Sequence, residues 1–132
     1  MVFSSETILR LNALADEVIK RFPDKKIQIF SFQDSIDLDV CEKFARILAK
    51  KDRFKDVEVL SGLSVNDVFD KISELEYMIG MRFHANVAAI ISGVKTLAIN
   101  YDIKVKKLAD EYDLPVIELS QRDFTKEFDK LG

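Results

Sequence analysis

Arg82 and His84 stand two residues apart, and His84 is the only histidine in the 132-residue chain. A guanidinium is a permanent, forked cation that meets a phosphate or carboxylate with paired hydrogen bonds. An imidazole titrates near neutral pH and can give or take a proton. Together they describe an anion site with a proton carrier in it. Both lie in Gly80-Met81-Arg82-Phe83-His84, where a short apolar run gives way to a helical pattern. A helix starting there presents unpaired amide N–H groups and the positive end of its dipole to the same anion. Gly80 permits close backbone approach. One geometric condition applies. Residues two apart on a regular helix face opposite sides, so Arg82 and His84 converge only if Arg82 lies in the turn or at the first helical position. The same residues also suit plainer roles, with His84 capping a helix and Arg82 pairing with a neighbouring carboxylate.

A second cluster, Asn100-Tyr101-Asp102-Ile103-Lys104, follows the next apolar run. Tyr101 and Lys104 are placed to face the same cleft as Arg82, while Asp102 equally suits a helix cap. Gln33, Asp34 and Ser35 end an earlier run, and Ser61, Gly62 and Ser64 end another. Ordinary loop chemistry accounts for each of these taken alone. The sequence has no glycine-rich dinucleotide fingerprint, no Walker loop and no Cys/His cluster with metal-ligand spacing, so neither a cofactor nor a metal is expected. No acidic pair follows the first strand, which argues against a phospho-receiver. Cys41 falls among apolar helical positions and is expected to be a buried thiol.

The elements that must position these residues are legible from periodicity. Ile8, Leu11, Leu14, Ala15, Val18, Ile19 and Phe22 recur at three- and four-residue steps, which predicts a helix over about residues 5–22 with Pro23 as its stop. Strands are expected at 26–32, 57–60, 77–80, 96–99 and 116–119. Helices are expected between them: one led by Asp37, one capped by Ser64 with Val65, Val68, Phe69, Ile72 and Leu75 inward, one over 83–92 ended by Gly93, and one over 104–112 with Tyr112 inward. Asp123 starts a short last helix with Phe124, Phe128 and Leu131. Five alternations of strand and helix predict an α/β fold: three layers, with a doubly wound parallel sheet of about five strands. The strands are apolar throughout, as strands covered on both faces should be. The chain opens on a helix where a Rossmann half-domain opens on its central strand. The first and third strands must then either pair directly, in the flavodoxin-like order 2-1-3-4-5, or leave a gap. In either order the 77–80 strand flanks the point where the winding reverses, which is where ligands bind in such sheets.

Composition sets the remaining bounds. The chain is 48% hydrophobic and 33% charged, as for a globular domain, and one domain over residues 1–132 is expected. A net charge of −3 argues against general nucleic-acid binding, which needs a basic surface. The longest near-apolar run, 85–94, is interrupted by Asn86, Ser92 and Gly93 and falls short of the roughly 20 residues that span a membrane. With no leader pattern visible, a cytoplasmic setting is expected.

Gly80-Met81-Arg82-Phe83-His84-Ala85, then Ser92-Gly93-Val94, then Tyr101-Asp102-Ile103-Lys104-Val105 and Leu114-Pro115, resemble in order and spacing the polysaccharide pyruvyl transferase family. The family pattern has leucine where Phe83 stands and proline where Lys95 and Ile103 stand. The end of the first strand, Phe30-Ser31-Phe32-Gln33, resembles the family too. The resemblance implies transfer of a pyruvyl group from phosphoenolpyruvate to a sugar of a cell-surface polysaccharide. It implies a two-lobed GT-B-like enzyme, of which residues 1–132 match the carboxyl-terminal, Rossmann-like lobe. It implies that Arg82, with Gly80, Tyr101 and Lys104, binds the donor, and that His84 is the acid that protonates the enol carbon or phosphate. The partners implied are phosphoenolpyruvate, a glycan acceptor, and either a missing amino-terminal lobe or a second copy of the chain. A degenerate lobe that keeps the anion site without turnover, as a binding or assembly module, is the competing reading.

Overall fold

The first helix, α1 (Ser5–Arg21), is 17 residues long. Its Leu11, Leu14, Ala15 and Val18 are buried, the face that the three- and four-residue spacing predicts. Lys20 and Arg21 occupy its last turn, where cations oppose the negative end of the dipole. The structure is a computed structural model that describes residues 5–31, 34–53, 57–100 and 103–131, with side chains omitted at 5–9, 34–37 and 52–53. The backbone divides into two units, Met1–Val68 and Phe69–Gly132.

In the first unit, β1 (Ile27–Phe30) pairs in parallel with β2 (Val57–Leu60), in register from Ile27↔Val57 to Phe30↔Leu60. The crossover between them is α2 (Asp34–Leu48), which continues into a π-helical turn at Ala49–Arg53. The helix starts at Asp34, three residues before the Asp37 expected from sequence. Either aspartate suits the positive end of a helix, so the pattern left the start ambiguous. Cys41 is buried, and its Sγ donates to the Phe30 carbonyl at 3.5 Å. That places the thiol as a core residue of the α2–β1 packing.

The connection to the second unit is α3 (Val65–Ser73). Ser64 caps it as expected: its Oγ accepts the Asp67 N–H at 3.1 Å. Val68 and Ile72 are buried, but Val65, expected inward, is 70% exposed.

The second unit runs β3 (Tyr77–Gly80), α4 (Phe83–Ile91), β4 (Lys95–Ile99), α5 (Ile103–Glu111), β5 (Val116–Ile117) and α6 (Thr125–Leu131). Its sheet is parallel, in the order β3-β4-β5. The register pairs Tyr77↔Lys95 through Gly80↔Ala98, then Ala98↔Val116 and Ile99↔Ile117. The α/β class and parallel strands are those the sequence predicts. The strands fall into sheets of two and three rather than one sheet of five. Each paired couple is joined by its own crossover helix, and α3 is the connection that leads from one sheet to the other.

Both site-flanking helices end on left-handed turns. Gly93 has φ 72°, and the Val94 N–H returns to the Ala89 carbonyl at 2.9 Å while the Gly93 N–H meets Ile90, a Schellman closure. At the end of α5 the same role falls to Asp113, φ 54°, with Leu114 N–H to the Ala109 carbonyl at 2.9 Å. Tyr112, expected inward, sits at this turn and is 52% exposed.

The core of the second unit centres on β4, where Leu97 and Ala98 are 0% exposed. Phe83, Leu114 and Val116 pack around Ala98, Val105 and Ala109, so α4 and α5 cover one face together. Leu97→Ala should destabilise the chain by about 2–5 kcal/mol in urea unfolding, the cost of lost burial plus a cavity. A cost under about 1 kcal/mol would mean that β4 is not the centre of this core.

Candidate functional site

The carboxyl end of β3 is Gly80, buried, followed by Met81 and Arg82. Arg82 is the N-cap of α4, with φ −87° and ψ 139°, an extended conformation. The condition for Arg82 and His84 to converge is therefore met on the backbone: Arg82 lies in the turn and His84 in the first turn of the helix. Arg82 is half-buried and His84 exposed. Phe83, between them, is held in the core cluster of β4 and α5. Its ring meets the His84 imidazole edge to face, with centroids 5.5 Å apart and planes at 89°. Anchoring Phe83 fixes the directions in which its two neighbours leave the backbone.

The start of α4 is electrostatically unusual. The N-cap residue makes no side-chain cap hydrogen bond, and no acidic residue occupies the first turn. The first intrahelical bond runs from the Asn86 N–H to the Arg82 carbonyl at 3.1 Å, so the Phe83, His84 and Ala85 amides precede the helical ladder. These are the donors that a helix normally satisfies with Ser, Thr, Asp or Asn. Here a cation occupies that place, at the positive end of the dipole. Cationic side chain, amide groups and dipole all favour one kind of guest: a small anion.

Sequence reasoning passed over the residue that shapes this turn. Asn86 is 0% exposed. Its Nδ2 donates to the Gly80 carbonyl at 3.0 Å and to the Arg82 carbonyl at 3.1 Å. A Cβ on Gly80 would lie 2.3 Å from Asn86 Oδ1, so the missing side chain of Gly80 makes room for this amide. The available signal was a lone amide among alanines in Ala85-Asn86-Val87-Ala88-Ala89, six residues after a glycine.

The second cluster divides. Tyr101 and Asp102 lie outside the described residues. Lys104 is exposed in the first turn of α5, on the element that follows the neighbouring strand. Asn100, at the end of β4, donates from Nδ2 to Glu118 Oε1 at 2.6 Å, while its N–H meets the Ile117 carbonyl at 2.8 Å. It thus ties the ends of β4 and β5 together. Beyond β5, Gln121 Oε1 accepts the Glu118 N–H at 2.6 Å, and Asp123 Oδ1 accepts the Thr125 N–H at 2.9 Å, which starts α6 as the sequence predicts. In the first unit, Gln33 lies outside the described residues, Asp34 and Ser35 open α2, and Ser61 and Gly62 follow β2 in exposed positions. Ser64 is committed to capping α3. Among the described residues no group of three or more His, Cys, Asp or Glu side chains could hold a metal ion.

The family model described as Polysaccharide pyruvyl transferase matches residues 2–103. That span contains Gly80, Arg82, His84, Asn86 and Tyr101, and stops one residue before Lys104. No curated protein and no solved structure matches the chain.

Proposed function

Since the chain belongs to the polysaccharide pyruvyl transferase family, we propose that it is the donor-binding lobe of a transferase that moves a pyruvyl group from phosphoenolpyruvate onto a sugar of a cell-surface glycan. The observation that carries this reading is the start of α4. There Arg82, as N-cap, stands beside the leading amides of a helix that lacks a side-chain cap hydrogen bond and a first-turn acid. Phosphoenolpyruvate is small and multiply anionic, so it suits a forked cation combined with amide donors. In this reading Arg82 grips the phosphate or carboxylate, the backbone after Gly80 lies against the ligand, and Tyr101 and Lys104, which follow β4 in the sequence, are further candidate donor ligands.

The chemistry requires one proton early. The enol carbon must gain a proton to become the methyl group of the product, which leaves the adjacent carbon open to a sugar hydroxyl. Phosphate then departs, and a second hydroxyl closes the ketal. The two hydroxyls release two protons, one replacing that given to carbon and one leaving with phosphate or solvent. His84 is the group proposed to supply the first proton, to the enol carbon or the phosphate. Its exposure leaves the activated enol open to water unless another surface closes over it. We therefore assign the acceptor side to a further lobe or a second copy of the chain. A cytoplasmic setting, expected from the sequence, is part of this proposal. Among the described residues no helix is long and apolar enough to cross a membrane. Residues 1–132 are taken as one lobe of that enzyme.

Titration calorimetry with phosphoenolpyruvate, followed by phosphate release in the presence of glycan acceptors, tests the reading. Binding in the micromolar to low millimolar range is expected. His84→Ala should bind within about tenfold of wild type yet lose roughly a hundredfold or more in phosphate release, the size of a general-acid contribution. Absence of binding at millimolar phosphoenolpyruvate would overturn the donor assignment. Binding without turnover under any pairing of chains would favour the anion-binding module instead.

A further inference from the structure

We propose that Asn86 is a positioning residue of the donor site, one that sets the direction of Arg82 by clamping the turn between β3 and α4. The inference rests on the reading of Arg82 as a phosphoenolpyruvate ligand.

Asn86 is completely buried, and burying an amide is unfavourable unless it is hydrogen-bonded. Both of its N–H groups are used, on the Gly80 carbonyl at 3.0 Å and the Arg82 carbonyl at 3.1 Å. Those carbonyls bracket Met81, so one side chain fixes both ends of the turn. The Arg82 carbonyl also accepts the Asn86 backbone N–H at 3.1 Å, and the two bonds together hold the peptide that follows Arg82. That peptide is governed by the Arg82 ψ of 139°, the same angle that distinguishes the N-cap from the helix after it. The orientation of the amide is dictated by its partners: reversing it would set Oδ1 against two carbonyl oxygens.

The remaining atom shows that packing alone does not explain the residue. Asn86 Oδ1 is buried with no hydrogen-bond partner, pressed against the place where a Gly80 Cβ would stand. An orphaned buried acceptor is destabilising. Leucine has a similar size but would take a donor from both the Gly80 and the Arg82 carbonyl, so what distinguishes asparagine here is its hydrogen bonding to the turn and not its bulk. Asparagine supplies two donors aimed at two particular carbonyls, that of Gly80 and that of Arg82, the residue read as the donor ligand. Small displacements of a charged group at a binding site cost much of its effect.

The test uses the full chain and phosphoenolpyruvate as the probe. Asn86→Leu should remain folded and bind at least about tenfold more weakly than wild type. In Gly80→Ala/Asn86→Ala the new Cβ occupies space that the amide vacates, so thermal stability should recover relative to Asn86→Ala while binding does not. Affinity within twofold of wild type in either folded variant overturns the proposal. An independent check needs no substitution. On titration of the wild type, the Asn86 side-chain NH2 resonances should shift in step with the Arg82 and Phe83 amides, and an unmoved pair counts against the clamp. A wild type that binds no phosphoenolpyruvate instead removes the donor assignment, and the clamp's role with it.

Discussion

Arg82→Ala is expected to weaken phosphoenolpyruvate binding by roughly a hundredfold while costing the α4 cap no hydrogen bond. The binding loss follows from charge-assisted hydrogen bonds, each worth about 1.5–3 kcal/mol against neutral alternatives. The cap itself loses nothing. The Arg82 side chain makes no cap hydrogen bond, so its removal costs α4 none, and a cation leaves the positive end of the helix dipole. Calorimetry and urea unfolding on the same samples separate the two effects. Arg82→Lys should recover only part of the affinity, since an ammonium keeps the charge but not the planar fork. Undiminished binding by Arg82→Ala would exclude the guanidinium as a donor ligand.

Gly80→Ala should be the most damaging single methyl that can be added near the site, at about 2–4 kcal/mol in urea unfolding. The backbone is not the reason. The glycines with positive φ are Gly62 and Gly93, and neither has an atom within 4 Å of an added Cβ. At Gly80 the added carbon would lie 2.3 Å from Asn86 Oδ1, 2.8 Å from Cγ and 3.0 Å from Nδ2. All three atoms belong to a side chain with no exposed surface, so the amide must leave its hydrogen bonds or β3 and α4 must separate. Overpacking and two weakened hydrogen bonds therefore add. A cost below about 0.5 kcal/mol would mean that the Asn86 amide is not held where the structure has it.

Local elements were legible in the sequence because their signals are local. Leu11, Leu14, Ala15 and Val18 gave the inward face of α1, Ser64 gave a cap, and Gly93 gave a stop. What the sequence left open depends on neighbours distant in sequence. Whether Val65 and Tyr112 are covered depends on where the packed layer ends, which helical spacing does not record. The division into two sheets depends on which strand edges meet, and short apolar strands carry little register information. At the proposed site, Arg82 and His84 stand out in the sequence through their chemistry, while the condition on Arg82 was a backbone angle that only the structure could supply. Asn86 was hidden for a different reason. In a list of residues it looks like an interruption of an apolar run. Its meaning appears only when the Gly80 carbonyl is six residues away in sequence and 3.0 Å away in space.

The N-cap of α4 also sets a conflict between persistence and function. Serine or aspartate at position 82 would satisfy a leading amide and add about 1 kcal/mol to the helix, and aspartate would in addition complement the dipole. Either would remove the cation, and aspartate would repel the proposed guest. Selection for robustness alone would therefore erode this site, as would stabilisation by consensus helix-capping rules. An arginine at this N-cap is in that sense not a choice that helix capping alone would make.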